Sequence, residues 1–179
     1  VDAERVRTIL RKLPHVEETV QWEGALVFWV GDKAIGGKMF AIARIEPFGK
    51  AVLSFSAGPE RYHELLEREG VIPAPYMARN HWVAMEHWDA LDARELAARL
   101  ADAHALTYAK LPRRTREVLG LPAAERRKLI EERRNTLAAA RDSEKGRSRI
   151  ALPTRPQSED SRPTSTASGG ARLVRSITR

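Results

Sequence analysis

Along the first dozen positions the apolar residues Val6, Ile9, Leu10 and Leu13 recur at helical spacing. With Asp2 ahead as a side-chain cap and Pro14 behind, this pattern predicts an amphipathic helix. From Thr19 to Ser56 the chain changes to short β-branched and aromatic runs broken by Gly24, Gly31, Gly36-Gly37 and Gly49. Those runs predict strands near Thr19 to Glu23, Ala25 to Val30, Gly37 to Glu46 and Ala51 to Ser56, joined by tight turns. In the third, Met39, Ala41, Ala43 and Ile45 should form an apolar face against helices. Lys38, Phe40, Ile42, Arg44 and Glu46 should form a mixed face on the other side.

Pro59 suits the first turn of a second helix that buries Tyr62, Leu65 and Leu66 and ends by Gly70. Gly70 to Arg79, with Pro73 and Pro75, reads as a loop leading into the octad His81 to Trp88, whose length and aromatic content predict a strand. Asp92 stands three residues before Glu95, the spacing of a capping box, and Leu91 and Leu96 occupy the staple positions. The third helix should start there and run to about Lys110, before Pro112. This order predicts an α+β fold: two layers, an antiparallel sheet of about five strands packed by three helices. Beyond Pro122 a basic helical stretch from Ala123 to Arg141 carries a thin apolar stripe of Ile130 and Leu137. From Asp142 onward Ser, Thr, Pro, Gly and Arg dominate, the composition of a disordered tail. The expected division is therefore a domain over 1–118, a basic extension over 119–141 and a tail over 142–179.

Charge sharpens that division. Residues 1–120 hold 17 basic and 17 acidic side chains, whereas residues 121–179 hold 14 and 7, so the net +7 of the 179-residue chain belongs to its last third. All 11 aromatic residues, all 3 Met and all 5 His precede residue 120, leaving the last third little with which to offset its ordering entropy. The sequence contains no Cys, which removes disulfides, thiolate zinc sites, iron-sulfur clusters and cysteine nucleophiles. A reducing cytoplasm, the expected location, is compatible with that. No uncharged run exceeds about nine residues against the roughly 20 needed to cross a bilayer. The charges of Asp2, Glu4, Arg5 and Arg7 do not lead into an apolar stretch, so neither a membrane span nor a secretory signal is expected.

Candidate chemistry is sparse. On one strand His81 and His87 would stand roughly 20 Å apart, too far to share an ion, and no metal or other cofactor is expected. No G-x-S-x-G, H-E-x-x-H or phosphate-binding glycine-lysine motif is present, so catalysis is not expected either. Gly36-Gly37-Lys38 is a glycine turn that opens a strand and not a helix; it is a hairpin turn with a surface Lys, or it presents Lys33 and Lys38 to a polyanion. Lys110, Arg113, Arg114, Arg116, Arg126, Arg127 and Lys128 face only Glu117 and Glu125 within their span. Such an excess points to a polyanionic partner. Two readings follow. In the first the domain binds DNA through the basic segment 110–134, with Lys33, Lys38 and Arg44 secondary. In the second a groove lined by Tyr76, Trp82 and Trp88 takes a partner or small ligand, and the tail only solubilises.

The ordered set Leu13-Pro14, Glu17-Glu18, Val27-Phe28-Trp29-Val30, Gly37-Lys38-Met39-Phe40-Ala41, Pro73-Ala74-Pro75-Tyr76, His81-Trp82-Val83 and Thr107-Tyr108 resembles the MmcQ/YjbR family over about residues 1–118. The resemblance implies a compact α+β fold of the secretion-chaperone-like kind and a DNA-binding role through a double-wing arrangement, with no catalytic residues to carry over. The sequence departs from that pattern in its basic tail and in the segment Gly31 to Gly37, longer than a short glycine turn, which suggests an extended wing.

Overall fold

The computed structural model describes the backbone of residues 2–22, 24–48 and 51–150. Helix α1 (Ala3–Arg11) is followed by strands β1 (Val16–Gln21), β2 (Ala25–Val30), β3 (Lys38–Phe48) and β4 (Ala51–Ser56). Then come α2 (Gly58–Leu66), β5 (Val71–Pro73), β6 (Trp82–Met85), α3 (Ala93–Ala109), α4 (Arg113–Leu119) and α5 (Ala123–Ile150). The strands form one six-stranded sheet in the order β1-β2-β3-β4-β6-β5, with every neighbouring pair antiparallel. Helices α1, α2 and α3 pack on one face of it. The fold is the α+β arrangement expected.

The main core lies between that face and the helices. Phe28, Phe40, Phe55, Leu53 and Met85 from the sheet meet Val6 and Leu10 of α1, Leu65 of α2, and Leu96 and Leu100 of α3. Each large side chain so buried contributes about 1.5–3 kcal/mol. The opposite face is apolar as well, with Ala25, Val27, Ile42, Ala51, Trp82 and Ala84 buried there beside the partly covered Trp29, Met39, Ile72 and Met77. No described helix covers it; only the segment after β5 folds over part of it.

Asp2 caps α1 through a bond from the Arg5 amide, and Asp92 caps α3 through bonds from the amides of Arg94 (2.9 Å) and Glu95 (2.8 Å). The expected capping box is only half made, because the Glu95 carboxylate accepts from Arg68 at 3.1 Å and is turned away from the Asp92 amide. Several elements differ from the sequence reading. Strand β5 sits inside the segment read as a loop, where Pro73 is tolerated because β5 is an edge strand. The octad contributes only Trp82–Met85 to the sheet: His81 has a left-handed backbone (φ 58°), and beyond Met85 the amide of Glu86 turns to the Gly70 carbonyl. Residues 113–119 form a helix of their own, and α5 continues through the part of the expected tail up to Ile150.

The two faces of β3 are also not those of strict alternation. Phe28 pairs with Ala41 and Trp29 with Met39, which leaves Phe40 as the extra residue of a bulge. Met39 therefore joins Ile42 on the open face, while Phe40, Ala41 and Ala43 all enter the main core. Glu23 and Gly49, the side chains of Ile45 and Glu46, and the expected tail from 151 on lie outside the described residues.

Candidate functional site

Residues 31–38 form a compact knot. The Asp32 side chain accepts from the Ala34 amide at 2.7 Å, and its carbonyl accepts from the amides of Gly37 (2.8 Å) and Ile35 (3.2 Å). Gly36 takes φ 89°, and a Cβ on Gly37 would lie 2.0 Å from the Gly31 carbonyl oxygen, so both positions demand glycine. The knot is docked: Thr115 of α4 donates its hydroxyl to the Ile35 carbonyl at 2.7 Å, and the guanidinium of Arg134 on α5 pairs with Asp32, Nε to Oδ2 at 3.0 Å. This corrects the expectation of an extended wing. The added residues close a one-turn 3-10 helix over Lys33–Ile35 and are pinned by α4 and α5.

The docking brings sequence-distant cations into one region. Lys38 Nζ donates to the Lys110 carbonyl at the end of α3, at 2.9 Å, and Lys33 Nζ lies 4.7 Å from the centre of the Trp29 ring. In α4, Thr115 and Leu119 are buried and Arg113, Arg114 and Arg116 are exposed. The α4–α5 turn is held by Arg126, which donates to the carbonyls of Leu119 (3.1 Å) and Leu121 (3.3 Å), and Ile130 is buried one turn further on.

The candidate cations thus divide. Arg113 is tied to Glu117 at 2.8 Å, and Arg126 is occupied by backbone carbonyls. Lys110, Arg114, Arg116, Arg127 and Lys128 are exposed, and none of their charged groups makes an ion pair or hydrogen bond with a described residue. The same holds for Arg133, which belongs to the basic segment 110–134 but is not among the cations singled out there. With Arg114 and Glu132, Arg133 lines a groove of about 530 Å³ between the knot, α4 and α5. Arg44 does not belong to this region: it lines a second groove, on the open face of the sheet.

That second groove, about 570 Å³, is lined among others by Trp22, Met39, Ile42, Tyr76 and Met77. It is not the aromatic groove expected. Tyr76 is fully exposed at its rim, but Trp82 is buried (6% exposed) in the layer on this face of the sheet and Trp88 packs on the opposite, helical side. Trp22, 53% exposed, takes the place expected of those two rings. The sequence pattern puts Trp22 inside a strand ending at Glu23; β1 stops at Gln21, and Trp22 in the following turn lines the groove with Pro75, Tyr76 and Met77 of the segment after β5.

The histidines do not assemble into a site. Buried His104 donates its Nε2–H to the Pro14 carbonyl at 2.8 Å and meets Phe40 edge-on, and burial holds its pKa below the ordinary value. His15, stacked on Tyr108, is also lowered, first by burial and then by Arg126 and His104. His87, outside the strand, pairs with Asp89 at 2.7 Å. Among the described residues no three His, Asp or Glu side chains are grouped to hold a metal ion, and no helix is long and apolar enough to cross a membrane.

Comparison with known proteins adds a fold relative and a family. The chain superposes on the crystal structure of Deinococcus radiodurans protein DR2400, a DUF419 protein, with a TM-score of 0.57 and 27% sequence identity, covering 68% of this chain and 89% of that one. No curated protein matches it. The YjbR family model matches residues 11–106, from the last residue of α1 through β1 to most of α3, and excludes α4 and α5. With more than half its length matched and the order of motifs and the fold in agreement, the chain belongs to the YjbR family.

Proposed function

We propose that the protein binds DNA without catalysing a reaction on it, holding the phosphate backbone against the face formed by α4, the first half of α5 and the 31–38 knot. One observation carries this reading: six exposed cations, Lys110, Arg114, Arg116, Arg127, Lys128 and Arg133, make no ion pair or side-chain hydrogen bond with any described residue. Elsewhere the chain neutralises much of its positive charge locally, as in Arg7 and Arg11 on Glu18, Arg68 on Glu95, and Arg61 and Arg99 on Asp102. Unneutralised guanidinium and ammonium groups on adjoining helices are what a phosphate backbone requires, and releasing its counterions supplies affinity without reading sequence.

A salt titration of duplex binding by the full chain tests this. If four to six of these cations each meet a phosphate, log affinity should fall against log salt with a slope of about 4 to 5. Replacing Arg114, Arg116 and Arg127 together with Ala should lower that slope by about 2 to 3, and equally on unrelated sequences. Replacing Arg113, already engaged by Glu117, should change it less. Absence of any retardation of DNA at low salt would overturn the proposal.

A further inference from the structure

The phosphate contacts proposed above leave the open face of the sheet unused, and that face has its own geometry. The floor of its groove is sheet, including Ile42, Ala51 and Ser54, while Trp22 and Tyr76 stand at its rim from two separate turns. Both have left-handed backbones, φ 44° for Trp22 and 63° for Tyr76, a region disfavoured for residues other than glycine. The fold thus holds two large rings largely in water, in unfavourable backbone conformations, beside an apolar groove. Packing of the core gives no reason for this; a planar ring entering the groove would supply one.

Charge narrows the occupant. Among the described lining residues there is no Asp or Glu, and Arg44 is present. At the other end of β2 the Lys33 ammonium lies over Trp29, whose ring packs on this same face. Ala25 and Trp29 are four residues apart on β2, so about 13 Å separates the Lys33 end from the Trp22 end, a span within reach of a short single strand. Lys33 also belongs to the knot that carries Lys38 to the basic face. A strand held by its phosphates there can continue along Lys33 onto the aromatic groove.

We infer that this face binds unpaired nucleotides, stacking bases on Tyr76 and Trp22, so that the protein prefers single-stranded to duplex nucleic acid. Every base offers a ring face, and a basic track with exposed aromatic platforms is the arrangement that binds single strands without sequence preference. The inference rests on the DNA-binding reading and adds to it the state of the strand and a second surface.

The test compares an oligothymidylate of about 15 nucleotides with a duplex of equal length, by fluorescence anisotropy on the full chain. The single strand should bind more tightly and quench tryptophan emission, with the quench largely lost in Trp22→Ala. Tyr76→Ala should weaken single-strand binding roughly 5- to 150-fold and leave duplex affinity within about twofold, while Tyr76→Phe keeps the wild-type value. Tyr76 is fully exposed, so its variants keep the fold even if Trp22→Ala does not. Duplex binding without a single-strand preference, or Tyr76→Ala binding like wild type, overturns this inference alone. Failure to bind either nucleic acid overturns it together with the proposed function.

Discussion

Asp32 joins three structures at once, and its removal should separate their contributions. One carboxylate oxygen caps the turn through the Ala34 amide at 2.7 Å, and the other accepts from Arg134 of α5. The Asp32 side chain is 9% exposed and the Arg134 side chain 59%. Loss of a cap costs about 1 kcal/mol. The ion pair adds about 0.5–1 kcal/mol, because its guanidinium can turn into water when the carboxylate is gone. Asp32→Ala should therefore destabilise the protein by about 2 kcal/mol. Asp32→Asn keeps an acceptor for the Ala34 amide but weakens the hold on Arg134, and Arg134→Ala loses only the pair, so each should cost about 1 kcal/mol or less. Urea denaturation followed by circular dichroism measures all three, and a double-mutant cycle between Asp32→Asn and Arg134→Ala isolates their coupling. An unchanged midpoint for Asp32→Ala, or an Arg134→Ala loss as large as that of Asp32→Ala, would refute the reasoning.

Two further outcomes can be measured on the same preparation. Asp92→Ala should cost on the order of 1 kcal/mol, since two amides of α3 lose their acceptor. Glu95→Ala, which gives up only the partly exposed pair with Arg68, should cost about 0.5 kcal/mol or less; equal losses would mean that the reciprocal box forms after all. His15 and His104 both have folded pKa values below 6.5, so the unfolded chain takes up their protons first as the pH falls. Their contribution is complete above that value and is lost as pH drops through it toward the folded values. Melting temperature should accordingly decline between about pH 7 and pH 5.5, and His104→Gln should flatten the decline; a flat wild-type profile would contradict the burial argument.

Elements signposted by local chemistry were legible in the sequence. The Asp2 and Asp92 caps, the Pro59 start of α2 and the short apolar run of β4 between Gly49 and Gly58 needed no distant partner to be recognised. Elements made by contact with something remote were not: β5 is three residues long and exists because Val71, Ile72 and Pro73 pair with Met85, Ala84 and Val83. The basic segment was legible as composition, but which of its cations remain unpartnered was not. Arg113 and Arg126 read like their neighbours until Glu117 and the α4–α5 carbonyls claim them. Trp82 and Trp88 read as lining one groove, because nothing in an eight-residue run reveals that the strand stops at Met85 and sends Trp88 to the helical side.

The bulge at Phe40 acts as a phase shift along β3. Counted back from Ile42 by strict alternation, position 38 would fall on the open face and position 39 on the helical one. The extra residue exchanges them. Met39 becomes lining for the apolar groove, and Lys38 is delivered to the helical side, where its ammonium meets a carbonyl at the C-terminal end of α3 and complements the negative end of that helix. Flattening the bulge with Phe40 retained, so that β3 paired residue for residue, would restore the two-residue rhythm, carry Lys38 away from Lys110 and put a charge into the groove where Met39 now lies. Deleting Phe40 would instead keep Met39 opposite Trp29 and remove only the Phe40 ring from the core. The bulge thus sets which chemistry each face of the sheet presents, a dependence that a substitution at either Lys38 or Met39 alone would not expose.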